Sequence, residues 1–97
     1  MTSVAIPAGL PCRSERIAYR VVGGEALVMV VDKKTLHRLN DVGSRVFELC
    51  DGQTSVDAIV EAIVREFAVD APTARADVET FIAELAATGA LSFKGAS

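Results

Sequence analysis

The sequence has few of the residues from which catalytic and metal sites are usually built. It contains two cysteines and one histidine, and the cysteines lack the C-x-x-C spacing of zinc and redox sites. It also lacks the G-x-S-x-G, P-loop and G-x-G-x-x-G motifs. We therefore expect no catalytic residue, no metal and no cofactor. Cys50 is interpreted as a small buried hydrophobic residue, and Cys12 as an exposed or half-exposed thiol without a role.

Long apolar runs and an excess of positive charge are also missing. No apolar run approaches the roughly 20 residues that a membrane span needs. The first seven residues lack the basic and apolar stretches of a secretory signal. The formal net charge is −3, whereas proteins that bind nucleic acid usually carry a positive excess. We predict one cytoplasmic domain that binds neither membrane nor nucleic acid.

The N-terminal third of the chain predicts a flexible arm followed by a small antiparallel sheet. Residues 1–14 contain two prolines and no hydrophobic periodicity. Ile17–Val22 and Glu25–Val31 are rich in β-branched and apolar residues, and Gly23-Gly24 between them is typical of a hairpin turn. Thr35–Leu39 is predicted as a third strand. One of its edges pairs with the second strand, and the other is a candidate open edge.

Three amphipathic helices are predicted after this sheet. The first begins after Asn40, an N-cap residue, and ends at Asp51-Gly52. The second begins at Thr54 or Ser55 and carries apolar residues with helical spacing: Val56, Ile59, Val60, Ile63, Val64 and Phe67. The third runs from Asp70 to Thr88-Gly89. The predicted fold is α+β and winged-helix-like, with a three-stranded antiparallel meander followed by a three-helix bundle. It spans residues 15–93, and 94–97 are expected to form a flexible tail.

Two features of the sheet bear on function. His37 alternates with Leu39 along the third strand and has no partner at a catalytic spacing, so we interpret it as a half-buried sheet histidine and not as a general base. The second strand is apolar on both faces, whereas an antiparallel strand with one solvated face should alternate. Either the N-terminal arm or another chain is therefore expected to cover the second face.

The charges of the third helix argue against a DNA-binding function. A recognition helix needs basic or amide side chains that reach phosphates and base edges. This helix offers Arg75 against Asp77, Glu79 and Glu84. The number of helices would permit a winged-helix regulator, but their charge disfavours it.

Several short segments, taken in order, resemble the PqqD family, whose fold recurs as the RiPP recognition element. They are His37-x-Leu39-Asn40, Phe47-Glu-Leu-Cys-Asp-Gly52, Val56-x-x-Ile59-Val60, Asp77-Val78-x-x-Phe81-Ile82-x-x-Leu85 and Gly89-x-Leu91. The resemblance covers residues 15–93 and rests on order and spacing, because most of these positions are core and cap residues. The arm before residue 15 and the Ala-rich third helix depart from the family pattern.

The resemblance implies a non-catalytic peptide chaperone. Members of the family bind the leader of a ribosomally made precursor peptide as an added strand, in a cleft between the third strand and the third helix. They present it to a modifying enzyme, often a radical SAM protein. On this chain the implied peptide-binding residues are Thr35, Leu36, His37, Arg38, Leu39, Arg75, Val78, Glu79 and Ile82. Alternatives are a winged-helix DNA-binding regulator and a purely scaffolding subunit, and a homodimer is left open.

Overall fold

The computed structural model describes residues 9–95 as five strands and three helices. Their bounds are β1 Leu10–Arg13, β2 Ile17–Val22, β3 Glu25–Val30, β4 Thr35–Leu39, α1 Asp41–Leu49, α2 Val56–Phe67, α3 Ala71–Ala87 and β5 Leu91–Lys94. The predicted antiparallel sheet of three strands and the three helices are confirmed. No helix in this part of the chain is long and apolar enough to cross a membrane.

Local sequence signals account for the hairpin and for the starts of the helices. Gly23 and Gly24 both have positive φ, 60° and 85°, as a two-residue turn between twisted strands requires. The side chains of Asn40, Ser55 and Asp70 accept hydrogen bonds from backbone N–H groups three residues later, at 2.9, 3.1 and 3.3 Å. These bonds satisfy helix N–H groups that have no partner within the helix. The predicted N-caps are confirmed, with Ser55 as the cap of α2.

Part of the expected N-terminal arm is a strand. β1 pairs antiparallel with β5, with Cys12 opposite Ser92. The Arg13 guanidinium donates to the carbonyl oxygens of Phe47 and Glu48 at the end of α1, at 3.0 and 2.7 Å. A four-residue strand with a proline shows no periodicity in sequence, and its partner lies at the other end of the chain. Residues 1–8 of the predicted arm and 96–97 of the predicted tail lie outside the described residues, and Lys94 belongs to β5.

The core lies between the helices and one face of the sheet β2-β3-β4. Ala26, Val28 and Val30 of β3 point toward the helices and are at most 3% exposed. They pack in one cluster with helix residues Val46, Phe47, Ile59, Ile63, Val78, Ile82 and Leu85. Burial of each large apolar side chain contributes about 1.5–3 kcal/mol. This cluster therefore holds the sheet against the helices.

The opposite face of the same sheet is called here the outer face. The strand register and the side-chain alternation place on it Ala18, Arg20, Val22, Glu25, Leu27, Met29, Leu36 and Arg38. Leu36 and Val22 are 58% and 56% exposed. The apolar second face expected from the sequence is therefore present. Within residues 9–95, the shallow pocket on it is lined only by residues of β2, β3 and β4.

Candidate functional site

The edge of β4 that faces away from β3 has no strand partner within residues 9–95. The hydrogen-bonding pattern shows which backbone groups point to this free edge. The Val31 N–H donates to the Arg16 carbonyl at 3.0 Å, so alternate residues of β3 bond to β2 and the residues between them bond to β4. Val28 pairs with His37 in that second set. Leu36 and Arg38, one position to either side, therefore direct their N–H and C=O groups away from β3.

Helix α3 lies near β4 and near the start of α1. At one end the His37 Nε2 lies 2.8 Å from the Thr88 Oγ1. At the other end, Asn40 and Val42 line a groove of about 340 Å³ with four residues of α3: Asp77, Thr80, Phe81 and Glu84. We call the space bounded by β4, the start of α1 and the residues of α3 from Asp77 to Thr88 the strand–helix cleft.

The contact between His37 and Thr88 joins β4 to the C-terminal end of α3. The Thr88 hydroxyl lies 2.8 Å from the His37 Nε2 and 3.1 Å from the Leu85 carbonyl oxygen. The His37 ring is therefore a structural link between strand and helix. His37 is half-buried, as the sequence predicted.

Phe81 lies at the centre of the helix side of the cleft. A Cβ on Gly43 of α1 would overlap the Phe81 ring, so the absence of a side chain at Gly43 lets this ring pack over α1. Phe81 is half-buried and contacts the core cluster. It therefore offers an apolar surface to the cleft, and Asp77 and Glu84 lie one turn before and after it.

The four predicted residues of α3 lie in the core or on the side of the helix that faces α2. Val78 and Ile82 are 0% exposed in the core, so they cannot contact a peptide at the surface. The Arg75 guanidinium is 2.8 Å from the Asp57 carboxylate of α2 and 3.4 Å from Glu79, which places it on the side of α3 that faces α2. The predicted residues Thr35 to Leu39 form β4, the strand side of the cleft. Leu36 and Arg38 direct their side chains to the outer face, and Leu39 is buried in the core at 3% exposure. The four predicted residues of α3 lie elsewhere.

The residues of α3 that do face the cleft were missed: Asp77, Thr80, Phe81, Glu84 and Thr88. This helix carries alanines and other small residues around most of its circumference. Its apolar pattern therefore does not distinguish the face toward β4 from the face toward α2. The one usable signal was Phe81, a large aromatic residue one position away from the buried stripe.

A larger groove, of about 800 Å³, lies between α2 and α3. It contains the ion pair between Arg75 and Asp57 and is lined by Val60, Val64 and Pro72 among others. Helix backbones line it, and their N–H and C=O groups are already bonded within the helices. The strand–helix cleft differs because it offers backbone groups that still need partners.

The buried Cys50 thiol is not activated as a nucleophile. Burial raises the pKa of the Cys50 thiol to about 12, so the thiolate that would act as a nucleophile is not formed at neutral pH. Among residues 9–95 there is no group of three or more His, Cys, Asp or Glu side chains that could hold a metal ion. The free edge of β4 offers backbone groups with which an extended chain could pair.

The chain is similar to a known family and to known structures. Residues 25–91 match the family described as coenzyme PQQ synthesis protein D (PqqD). No curated protein matches the sequence. One similar solved structure is TbiB1 in complex with the TbiA(beta) leader peptide, with 27% identity, a TM-score of 0.77, and coverage of 87% of this chain and 98% of that one. Another is lasso peptide synthetase B1 complexed with the leader peptide, with 13% identity, a TM-score of 0.76, and coverage of 87% and 99%. At 13% identity, the similarity to lasso peptide synthetase B1 indicates a shared fold and nothing more.

Proposed function

Because the chain belongs to the PqqD family, we propose that it is a non-catalytic peptide chaperone for a ribosomally synthesised precursor peptide. The leader of that peptide adds as a strand to the free edge of β4 and is presented to a modifying enzyme, a radical SAM protein or a similar one. The unpaired backbone edge beside α3 carries this proposal. A further support is the similar structure of TbiB1, which is a complex with a leader peptide.

The backbone of β4 supplies the affinity. Leu36 and Arg38 together direct two N–H and two C=O groups to the free edge, and an extended peptide can pair with all of them. Such pairing also satisfies groups that an exposed strand edge otherwise leaves to water. Because backbone groups are common to all peptides, this part of the site holds a chain without selecting its sequence.

The side chains of the cleft supply the selectivity. Alternate residues of an added strand would point into the cleft toward Phe81 and Val42, which favour an apolar side chain. Asp77 and Glu84 beside them favour a basic neighbour. Arg38 points to the outer face and can pair there with an acidic residue of the leader, an exposed pair worth about 0.2–1 kcal/mol.

Tethering gives the chaperone its effect on the enzyme. A leader held on β4 leaves the rest of the precursor attached near a bound enzyme, which raises its local concentration without new contacts. In this proposal the winged-helix-like grouping of three helices and a sheet serves to hold one strand edge open beside a helix. It does not serve to read DNA, because Arg75 is held in ion pairs with Asp57 and Glu79.

The test is an amide NMR titration of the labelled protein with synthetic leader segments from small open reading frames beside its gene. We expect shifts in residues 33–42 and 77–88 that saturate at a Kd of about 1 µM, near −8 kcal/mol. We also expect the Leu36 and Arg38 amides to become protected from hydrogen exchange on binding. The amides of Thr35, His37 and Leu39 already pair with β3 and serve as internal controls.

Two outcomes would contradict the proposal. If no leader produces shifts while duplex DNA perturbs α3, the domain is a winged-helix regulator. If a partner protein binds and no short peptide does, it is a scaffolding subunit. Leaders N-methylated at alternate positions provide a matched control, since they keep every side chain and lose the N–H groups that a strand needs.

A further inference from the structure

The outer face of the sheet carries two arginines, although the chain as a whole is negatively charged. The formal net charge is −3, yet Arg20 and Arg38 lie on this face directly opposite Leu27, one on each neighbouring strand. None of the ion pairs formed among residues 9–95 includes Arg20 or Arg38. Arg16, Arg45 and Arg75, in contrast, each pair with a carboxylate.

The apolar residues of the outer face lie next to these arginines. Ala18, Met29 and Leu36 form one row across the three strands, adjacent to the row of Arg20, Leu27 and Arg38. Leu36 is 58% exposed. An apolar patch with cationic side chains at both sides fits a protein surface that has apolar side chains at its centre and carboxylates around them.

We propose that this face is where the modifying enzyme docks, through a surface of apolar and acidic side chains. The inference rests on the proposed function, and it names a partner surface that shares only Leu36 and Arg38 with the peptide site. A strand added at the free edge of β4 would extend the outer face by one strand. Every second side chain of the bound leader would then lie beside Leu36 and Arg38. An enzyme on this face would therefore contact both the chaperone and the leader, and would favour the loaded form.

Charge argues against a second copy of this chain as the occupant. Two outer faces brought together would place four arginines in one interface. Glu25 is the only acidic residue that each copy brings to the face. Like charges placed close together in an interface oppose association. A partner with carboxylates removes this repulsion.

Two variants and one control test the proposal with the enzyme encoded beside the gene. Arg20→Glu reverses one charge of the face. Leu27→Glu removes its central apolar side chain and places a carboxylate between two arginines, where opposite charges on adjacent strands favour the fold. Arg65→Glu makes the same charge change as Arg20→Glu at an exposed position of α2, away from the sheet. None of these residues belongs to the proposed peptide site.

Calorimetry with the enzyme and, separately, with the leader gives the readout. We expect Arg20→Glu and Leu27→Glu to weaken enzyme binding at least about tenfold, while the Kd for the leader stays within about twofold and Arg65→Glu changes neither. Enzyme binding that is unchanged in both variants would overturn the proposal. A wild-type dimer that Leu27→Glu dissociates, with unchanged enzyme affinity, would assign the face to a second copy and also overturn it. If the leader fails to bind the wild type but enzyme binding depends on this face, the peptide function fails and the docking face stands.

Discussion

His37 and Thr88 connect the middle of β4 to the end of α3 through a hydrogen bond of 2.8 Å. The two residues are 51 positions apart in the chain. The bond is part-buried, and it holds the helix beside the free edge of the strand. It therefore sets the width of the strand–helix cleft at one end.

The first prediction concerns this bond. A double-mutant cycle of His37→Ala and Thr88→Val should show a coupling energy of about 0.5–1.5 kcal/mol in urea unfolding, the usual net contribution of one such bond. If the changes in the free energy of unfolding of the two single variants add up to that of the double variant, the contact does not form in solution. Both single variants should also bind the leader more weakly, because the helix is then less well held against the strand.

The second prediction concerns the backbone of β4. Arg38→Pro removes one N–H from the free edge and leaves the bonds to β3 in place, which is where proline is tolerated in a strand. It should abolish leader binding in the NMR titration. Arg38→Ala keeps the N–H and should retain binding within a few-fold. Unchanged affinity in a folded Arg38→Pro protein would show that this edge does not hold the peptide.

The third prediction concerns Gly43 and Phe81. Gly43→Ala should lower the free energy of unfolding by about 1–3 kcal/mol, because the new methyl group overlaps the Phe81 ring. Phe81→Leu in the same chain should recover part of that loss by removing ring atoms. If the double variant is no more stable than Gly43→Ala, the ring is not packed over α1. Circular dichroism melts measure both effects.

The fourth prediction concerns acid stability. The Arg45 guanidinium donates to both carboxylate oxygens of Glu66, at 2.8 and 3.1 Å. These bonds lower the pKa of Glu66 below its ordinary value. Because the folded pKa is the lower one, the stabilisation is present above the ordinary glutamate pKa of about 4.3. It is lost as the pH falls through the folded value.

The measurement compares melting temperatures of the wild type and Glu66→Gln across pH. The wild type should melt at a higher temperature at pH 7, and the two curves should converge in acid. Glu61→Gln on the same helix is the control, because no ion pair formed within residues 9–95 includes Glu61. A difference in melting temperature between wild type and Glu66→Gln that does not change with pH would contradict the lowered pKa of Glu66.

The elements that depend on neighbouring residues follow from local sequence signals. The hairpin follows from two glycines that accept positive φ, and each helix starts where a polar side chain can bond an N–H three positions later. The absence of catalytic spacings and the acidic third helix also directed the functional interpretation toward binding. These signals are local, because turns and caps involve residues within a few positions of each other.

Contacts between distant parts of the chain could not be predicted from the sequence and are seen in the folded structure. The pairing of β1 with β5 joins the two ends of the described chain, and no periodicity in four residues around Pro11 could predict it. The face of α3 that lines the cleft depended on how the helix packs against α2 and β4. Its small residues allow several rotations, and the burial of Val78 and Ile82 together with the ion pair between Arg75 and Asp57 selects one of them. The strand of the candidate site was therefore predictable from the sequence. The helix face opposite it was not, because packing between distant residues determines how a helix is rotated.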